Sequence, residues 1–424
     1  LVLFFKKGLL TLPKSDETRD PTRSLALALL RAVLEQHRPL EDALDRLPKA
    51  EARDRAAAHR LAATVLRRMG TLDAVIEPHV TRAPPAGVRL ILLLGAAQLL
   101  FLGTPAHAAV GTAVDLTRSE KLAPFAKMVN AVLRRVAEQG PGLLGQLDAP
   151  RLDTPAWLWT SWGAQARAIA AAHAIEAPLD ISLAPGAAAP EGGVALPGGS
   201  WRYPAGTRVV ELAGFEAGAF WVQDAAAALP ARLLDVRPGE RVADLCAAPG
   251  GKTAQLAAAG AAVVAVERDG RRVTRLRENL ARLRLSAEIV QEDAASWSPG
   301  AAFDAVLLDA PCSATGTIRR HPDVARIKTA RDVAVLAEGQ RTLLAAAARM
   351  LKPGGRLVYA VCSLQPEEGE MQAASGVAGL SAVPFEAGPG LTAEGWVRTT
   401  PALWPELGGM DGFFCARFVR PGGG

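Results

Sequence analysis

The sequence predicts an α/β protein: a doubly wound, mainly parallel sheet over about the last 190 residues, preceded by an all-helical region and a small connecting subdomain. Three observations predict it. Short β-branched runs alternate with helical stretches after residue 236. Apolar residues recur at helical spacing before residue 142, and tryptophan, proline and glycine accumulate in between. The 424 residues are 50% hydrophobic and 21% charged, enough for two or three cored domains and too apolar for global disorder.

Taken in order, residues 1–20 read as an extension. Leu1-Val-Leu-Phe-Phe-Lys-Lys7 places its charges after the apolar stretch and lacks a small-residue cleavage site, the wrong order for a signal peptide. Residues 21–142 read as helices. Leu25, Leu27, Leu29, Leu30, Val33 and Leu34 follow a start at Pro21-Thr22, and a second stretch runs from about Asp54 to Met69 and stops at Gly70. Further helices are expected over Val88–Phe101, Ala106–Thr117 and Pro124–Glu138, separated by Pro84-Pro85, Gly103-Thr104-Pro105 and Gly140-Pro141-Gly142. The apolar run Leu90–Leu102 is interrupted by Gln98 and falls short of the ~20 residues a membrane span needs. Residues 143–235 hold Trp157, Trp159, Trp162, Trp201 and Trp221, one helix over about Gly163–Ile175, and short strand-like pieces. In residues 236–424 strands are expected at Arg241–Leu245, Ala261–Glu267, Ala287–Gln291, Phe303–Asp309 and Arg356–Val361, with helices such as Arg271–Leu283 and Val333–Leu351 between them. Ligands of such a sheet gather at the carboxyl ends of its strands.

Charge is unevenly placed. Residues 1–140 carry 21 basic and 14 acidic side chains, a net of +7, whereas the remainder is at −2. A basic helical part suits a polyanion, although GC-rich coding explains the same arginine excess. Arg67, Arg68, Arg134 and Arg135 sit near expected helix C-termini, where they complement the macrodipole as readily as they meet phosphate. Four cysteines, Cys246, Cys312, Cys362 and Cys415, cannot staple a chain this long, and no CxxC pair or histidine cluster marks a metal site. Thiol chemistry in a reduced, cytoplasmic compartment is expected.

The first strand ends Asp244-Leu-Cys-Ala-Ala-Pro-Gly-Gly-Lys-Thr253. Cys246, Ala247, Ala248, Pro249, Gly250, Gly251 and Lys252 form a strand-to-helix loop that a ligand can approach closely. A phosphate-wrapping P-loop is disfavoured because Cys246 stands where the first glycine belongs. Glu267, twenty-one residues on, is placed to accept ribose hydroxyls, and Asp293 to meet an adenine amino group. An adenosine-type ligand follows. The fourth strand ends Asp309-Ala-Pro-Cys-Ser and the fifth Tyr359-Ala-Val-Cys-Ser363, so Cys312 and Cys362 fall at the active edge. A buried structural cysteine is the plain explanation for Cys246 and Cys415. For Cys312 and Cys362 a thiolate nucleophile beside an acid fits better.

Asp244–Thr253, Asp309–Asp323, Tyr359–Ser363 and Met410–Phe414 resemble the RNA 5-methylcytosine methyltransferases. Asn130–Arg134 and Val222-Gln-Asp224 point to the RsmB (Sun) ribosomal RNA family among them. The resemblance implies a Rossmann-like S-adenosylmethionine-dependent methyltransferase sheet over 236–424. It further implies a NusB-like RNA-binding domain over 21–142 and a reduced ferredoxin-like subdomain over 143–235. It also implies methyl transfer from S-adenosylmethionine to C5 of a cytosine in 16S ribosomal RNA, with Cys362 as nucleophile, Asp309 holding the base and Cys312 serving release. The cofactor would rest on Cys246–Lys252, Glu267, Asp293 and Asp309, with no metal. Ribosomal RNA is the expected partner, without DNA or membrane, and the chain is expected to act as a monomer. Rival expectations are the same chemistry on tRNA or 23S rRNA, and a non-catalytic NusB-like RNA-binding factor. Two departures stand out: Val361 precedes the nucleophile where the family favours threonine, and Pro185-Gly-Ala-Ala-Ala-Pro190 interrupts the middle subdomain.

Overall fold

The computed structural model describes residues 21–422, so the extension over residues 1–20 lies outside the described residues. The chain divides into two compact units. One is helical and runs to Ala174, with His321–Ile327 added from far along the chain; the other holds Ile175–Arg320 and Lys328 onward.

The helical unit contains helices Pro21–Leu34, Leu40–Asp45, Ala52–Arg67, Met69–Ile76, Ala86–Leu100, Ala106–Ser119 and Ala126–Leu144, then shorter ones at Ala149–Asp153, Ala156–Trp162 and Ala166–His173. Helix Ala86–Leu100 is apolar on nearly every side because it is the core element: Leu90 through Gln98 are all buried. Gln98 is accommodated by donating to Leu94 O at 3.1 Å and accepting from Arg23 Nε at 2.9 Å. Among the described residues no helix is long and apolar enough to cross a membrane.

Two expected boundaries move, for packing reasons. Gly70 does not end a helix but lies in the next one, Met69–Ile76. A Cβ there would fall 1.9 Å from Leu152 O, so glycine serves close approach of backbones, not termination. Thr71 N and Oγ1 donate to Asp153 in the same contact. Likewise Gly140-Pro141-Gly142 is not a turn: the helix from Ala126 continues to Leu144 with Pro141 inside it. Buried Gly140 sits against Leu100 and Val75, and that packing outweighs the local breaker signal. Arg134 and Arg135 are therefore exposed in mid-helix and cap nothing. Arg68 is structural: it donates to Ala174 O at 2.9 Å and lies over the Phe101 ring. From the distant segment, Asp323 Oδ2 accepts from Leu40 N, and Arg326 donates to Leu66 O and Asp153 O.

The second unit opens with a small antiparallel sheet of order β2-β3-β1-β4, made of β1 Leu179–Leu183, β2 Val194–Ala195, β3 Trp201–Tyr203 and β4 Phe220–Val222. The compact division thus falls at 174/175, within the stretch 143–235: its helices pack with the helical unit and its strands with the second. The main sheet contains β5 Arg241–Leu245, β6 Ala262–Val266, β7 Glu288–Val290, β8 Phe303–Asp309, β9 Leu351–Val361, β10 Ser381–Ala382, β11 Val397–Arg398 and β12 Phe414–Val419. Its order is β10-β12-β9-β8-β5-β6-β7, with β11 on β12. Strands β5 to β9 run parallel; β12, which the sequence pattern did not reveal, is antiparallel to β9. Alternate residues serve two cores. Val306 and Leu308 face the helix Ala330–Met350 side, and Ala305 and Leu307 face Leu229, Leu234 and Leu256. Because β5 pairs with β6 on one side and β8 on the other, its carboxyl end lies at the topological switch.

A buried ionic cluster joins the segments of this unit. Arg319 Nη2 and Arg320 Nη2 donate to Asp224 Oδ2 at 2.8 and 2.5 Å, while their Nε atoms reach the two oxygens of Asp411 at 2.6 and 3.0 Å. Arg202 grips Asp180 with two 2.7 Å bonds and donates to Leu407 O and Gly409 O. Asp180, Asp224, Arg319 and Asp411 are all buried. Removing one partner strands the others in a low-dielectric interior. Arg319→Ala is expected to cost about 3–5 kcal/mol, measured by chemical denaturation; a loss below 1 kcal/mol would show that the cluster contributes little.

Candidate active site

The four motifs converge at the carboxyl edge of the sheet. Lys252, at the start of helix Gly251–Ala258, places Nζ 2.8 Å from Asp309 Oδ2 at the end of β8. The same ammonium lies 5.3 Å from the centre of the Phe413 ring, contributed by the Met410–Phe414 stretch. Burial disfavours the Lys252 cation, but the charge and hydrogen bond of Asp309, with Cys362 behind them, outweigh it and raise its proton affinity. The lysine grouped with the cofactor loop by sequence is therefore also the partner of the expected base-holding aspartate.

Strands β8 and β9 are paired, with Asp309 opposite Ala360, and this brings the loops after them together. Cys312 Sγ and Cys362 Sγ are 3.4 Å apart. Cys312 is held well above the ordinary thiol range by its hydrogen bond to Cys362, by burial, and by the charges of Cys362 and Glu368. Gly316 N donates to Cys362 O at 3.0 Å, and Gly316 O accepts from Gly412 N at 2.8 Å. A Cβ on Gly316 would lie 2.0 Å from Gly412 O, so only glycine lets these two loops cross. Val361 is fully buried in the apolar cluster beneath, where methyl groups pack without needing a hydrogen-bond partner.

The remaining expected residues divide. Cys246 and Cys415 are pushed up to about 12 by burial, which keeps both as neutral thiols. Cys246 keeps its place in the loop through its backbone, in left-handed conformation at φ 64°. Glu267 directly follows β6, buried; its Oε1 accepts from Asp269 N at 3.0 Å. Its Oε2 has Arg272 Nη1 at 3.1 Å but no well-formed hydrogen bond. Asp293 lies beyond β7, exposed, 3.7 Å from Arg268 Nη1, and accepts from Ala295 N. Among the described residues no group of three or more His, Cys, Asp or Glu could hold a metal.

Sequence patterns overlooked two carboxylates. Asp244 is fully buried; Oδ2 accepts from Thr253 Oγ1 at 2.6 Å, while Oδ1 has no partner. Glu368 is also fully buried and joins the two cysteine loops. Asp244 heads the first motif and could have been found there; Glu368, five residues past Ser363, carried no signal of its own. The incompletely satisfied oxygens of Asp244 and Glu267 flank the loop Cys246–Lys252. They suit a ligand that brings ammonium and ribose hydroxyl donors, and S-adenosylmethionine carries both.

A helical unit of this kind, followed by a doubly wound sheet with this carboxyl-edge site, defines a methyltransferase whose cofactor is S-adenosylmethionine. The 16S rRNA methyltransferase RsmB/F pattern matches residues 231–419, and the NusB family pattern matches residues 20–138. Ribosomal RNA small subunit methyltransferase B of Pseudomonas putida is 38% identical over 94% of this chain and 98% of its own. Its namesake in Erwinia tasmaniensis is 36% identical over the same shares. The chain belongs to the RsmB/F family of rRNA methyltransferases. In fold it is similar to the crystal structure of PH0851, with a TM-score of 0.72 and 24% identity over 95% of this chain and all of that one. A methyltransferase homologue from Pyrococcus horikoshii aligns with TM-score 0.53 and 27% identity over 62% of this chain and 93% of its own.

Asp244 makes this edge pH-sensitive. Burial raises it from 3.8 to about 7, with Asp309 and Glu267 adding to the effect and Thr253 and Lys252 opposing it. A raised carboxyl pKa favours the folded state at low pH, so its contribution is lost as pH climbs from about 4 to about 7. Asp244→Asn is expected to raise the ligand-free thermal midpoint more at pH 8 than at pH 5. Parallel midpoint–pH curves for variant and parent would show that Asp244 is already ionised in the folded state.

Proposed function

We propose that this chain methylates C5 of a cytosine in 16S ribosomal RNA through a transient bond from Cys362 Sγ to C6 of the base. The observation that carries this reading is the pair of thiols 3.4 Å apart beside an ion-paired aspartate, at the edge where the cofactor loop ends.

Cytosine C5 is a poor nucleophile until C6 is saturated. Addition of the Cys362 thiolate at C6, with Asp309 holding N3 and supporting its protonation, makes C5 enamine-like. Lys252 keeps the Asp309 carboxylate oriented while the base is bound. S-adenosylmethionine, held by Cys246–Lys252, Glu267, Asp293 and Asp309, supplies an electrophilic methyl. The C5 proton then leaves to a water beside the Cys312 thiol, and the C6–S bond breaks with its electron pair returning to Cys362 Sγ. The target must be unpaired or flipped to be reached. A purely binding role has no use for two thiols so arranged.

The two cysteines should fail differently. With substrate RNA and S-adenosylmethionine, Cys312→Ala is expected to add, methylate and stall as a covalent protein–RNA species that shifts on a denaturing gel. Cys362→Ser should show neither shift nor 5-methylcytosine, since a neutral hydroxyl is a far weaker nucleophile. The reverse pattern exchanges the roles, and full turnover by both removes covalent catalysis from the mechanism. Repeating the assay with 16S, 23S and transfer RNA distinguishes the targets.

The exposed Arg134 and Arg135 are proposed to meet RNA phosphate. Replacing both with alanine should weaken RNA binding and lower the log–log salt slope by roughly 1.4–1.8 in total, with S-adenosylmethionine affinity retained. An unchanged slope in filter binding would move the RNA surface elsewhere.

A further inference from the structure

Each active-site cysteine is followed by a serine, and both serines close on one carboxylate. Glu368 Oε1 accepts from Ser313 N at 2.9 Å and from Gln340 Nε2 at 3.2 Å. Its Oε2 accepts from Ser313 Oγ at 2.5 Å and from Ser363 Oγ. Ser363 Oγ in turn accepts from Gln365 N at 3.0 Å, and Tyr359 donates its hydroxyl to Glu368 O. Glu368 is 0% exposed, and among the described residues no cation pairs with it. Arg398, the nearby guanidinium, donates to Ser363 O and spends its other nitrogens on Glu370. A carboxylate buried with neutral donors alone is costly, and a structural clasp needs no charge.

We propose that Glu368 is a positioning residue that clasps the loops of both cysteines and, through its charge, keeps the shared proton on Cys312 so that Cys362 is the thiolate. The proposal rests on the reading of Cys362 as the nucleophile.

Two sulfurs in hydrogen-bond contact hold one proton between them more readily than none, and the surrounding charges decide its place. Cys312 has the Glu368 anion beside it, which opposes a second negative charge. On the other side, the Lys252 ammonium is reinforced by Asp309 and by Cys362. Anion behind one thiol and cation near the other give neighbouring, identical groups different protonation. The nucleophile is thereby charged before substrate arrives, and the release group still carries its proton.

Glu368→Gln tests this, because it keeps the shape and removes the charge, and the serine hydroxyls can reverse their hydrogen bonds. Iodoacetamide labelling of the ligand-free protein at pH 7.5, read by peptide mass spectrometry, reports each thiolate separately. In the parent, Cys362 should react at least about tenfold faster than Cys312, since the thiolate is the reactive form. In Glu368→Gln the ratio should fall to within about threefold, with Cys312 labelling at lower pH. An unchanged ratio and pH profile in a variant that still binds S-adenosylmethionine overturns the proposal. Should Glu368→Gln fail to fold, Ser313→Ala leaves the charge and loosens the clasp. Diamide cross-linking of Cys312 to Cys362 should then slow several-fold, and unchanged cross-linking overturns the proposal. Labelling needs neither RNA nor S-adenosylmethionine. Its failure therefore leaves the methyl-transfer reading to the adduct assay.

Discussion

The α/β unit depends on a constraint of electrostatics: three buried aspartates, Asp180, Asp224 and Asp411, must be matched by three arginines, Arg202, Arg319 and Arg320. These six residues come from the small sheet, the segment before the main sheet, the loop after β8 and the stretch before β12. None can be seated unless the others are, because an unmatched charge inside a protein is far more costly than a matched one is favourable. The loop that begins at Asp309 and carries Cys312 is thus tied down at its far end by Arg319 and Arg320. It is also pinned midway by the crossing of Gly316 and Gly412. A catalytic group held to a fraction of an ångström needs such support.

Within that frame the site is built on polarity. Lys252 pairs with Asp309 and is also stabilised as a cation by Cys362, Glu368 is bonded to the loop of Cys312, and the cofactor loop is flanked by carboxylate oxygens that lack full partners. In the proposed mechanism the cationic and anionic neighbours give different tasks to two residues of the same chemical type. The incomplete oxygens belong to the opposite case: they are costly in the empty protein and become useful when a ligand brings donors. The thiols of Cys246 and Cys415, pushed up by burial, remain neutral and take no part in the thiol chemistry.

Much of the site was legible because a parallel sheet places every strand's carboxyl end on one edge. Once β5, β6, β8 and β9 were recognised from their β-branched runs, Lys252, Glu267, Asp309, Cys312 and Cys362 had to gather there. The pairing of β8 with β9 makes the two cysteines neighbours although they are 50 positions apart in the chain. What failed were local signals overruled by packing. Gly70 and Gly140-Pro141-Gly142 look like breakers, yet each lies within a helix, since contact with Leu152, Leu100 and Val75 outweighs intrinsic propensity. The NusB pattern ends at residue 138, near the expected boundary at 142, while the helices that follow pack with the helical unit through the Thr71–Asp153 bonds. Strand β12 is antiparallel to β9 rather than part of the alternating parallel pattern, and composition alone did not separate it from loop.

The sequence by itself determined the layered α/β class, the helical unit, the order of the motifs and the residue types available for thiol and carboxylate chemistry. These follow from periodicity and from the one-sidedness of a parallel sheet, which are local or topological properties. Partnership was decided only by the tertiary structure. That Lys252 meets Asp309, that Asp244 has an oxygen without a partner, and that Glu368 closes both cysteine loops depends on distances between segments far apart in the chain. Buried charge is stable only at particular separations, and no pattern along one dimension encodes them.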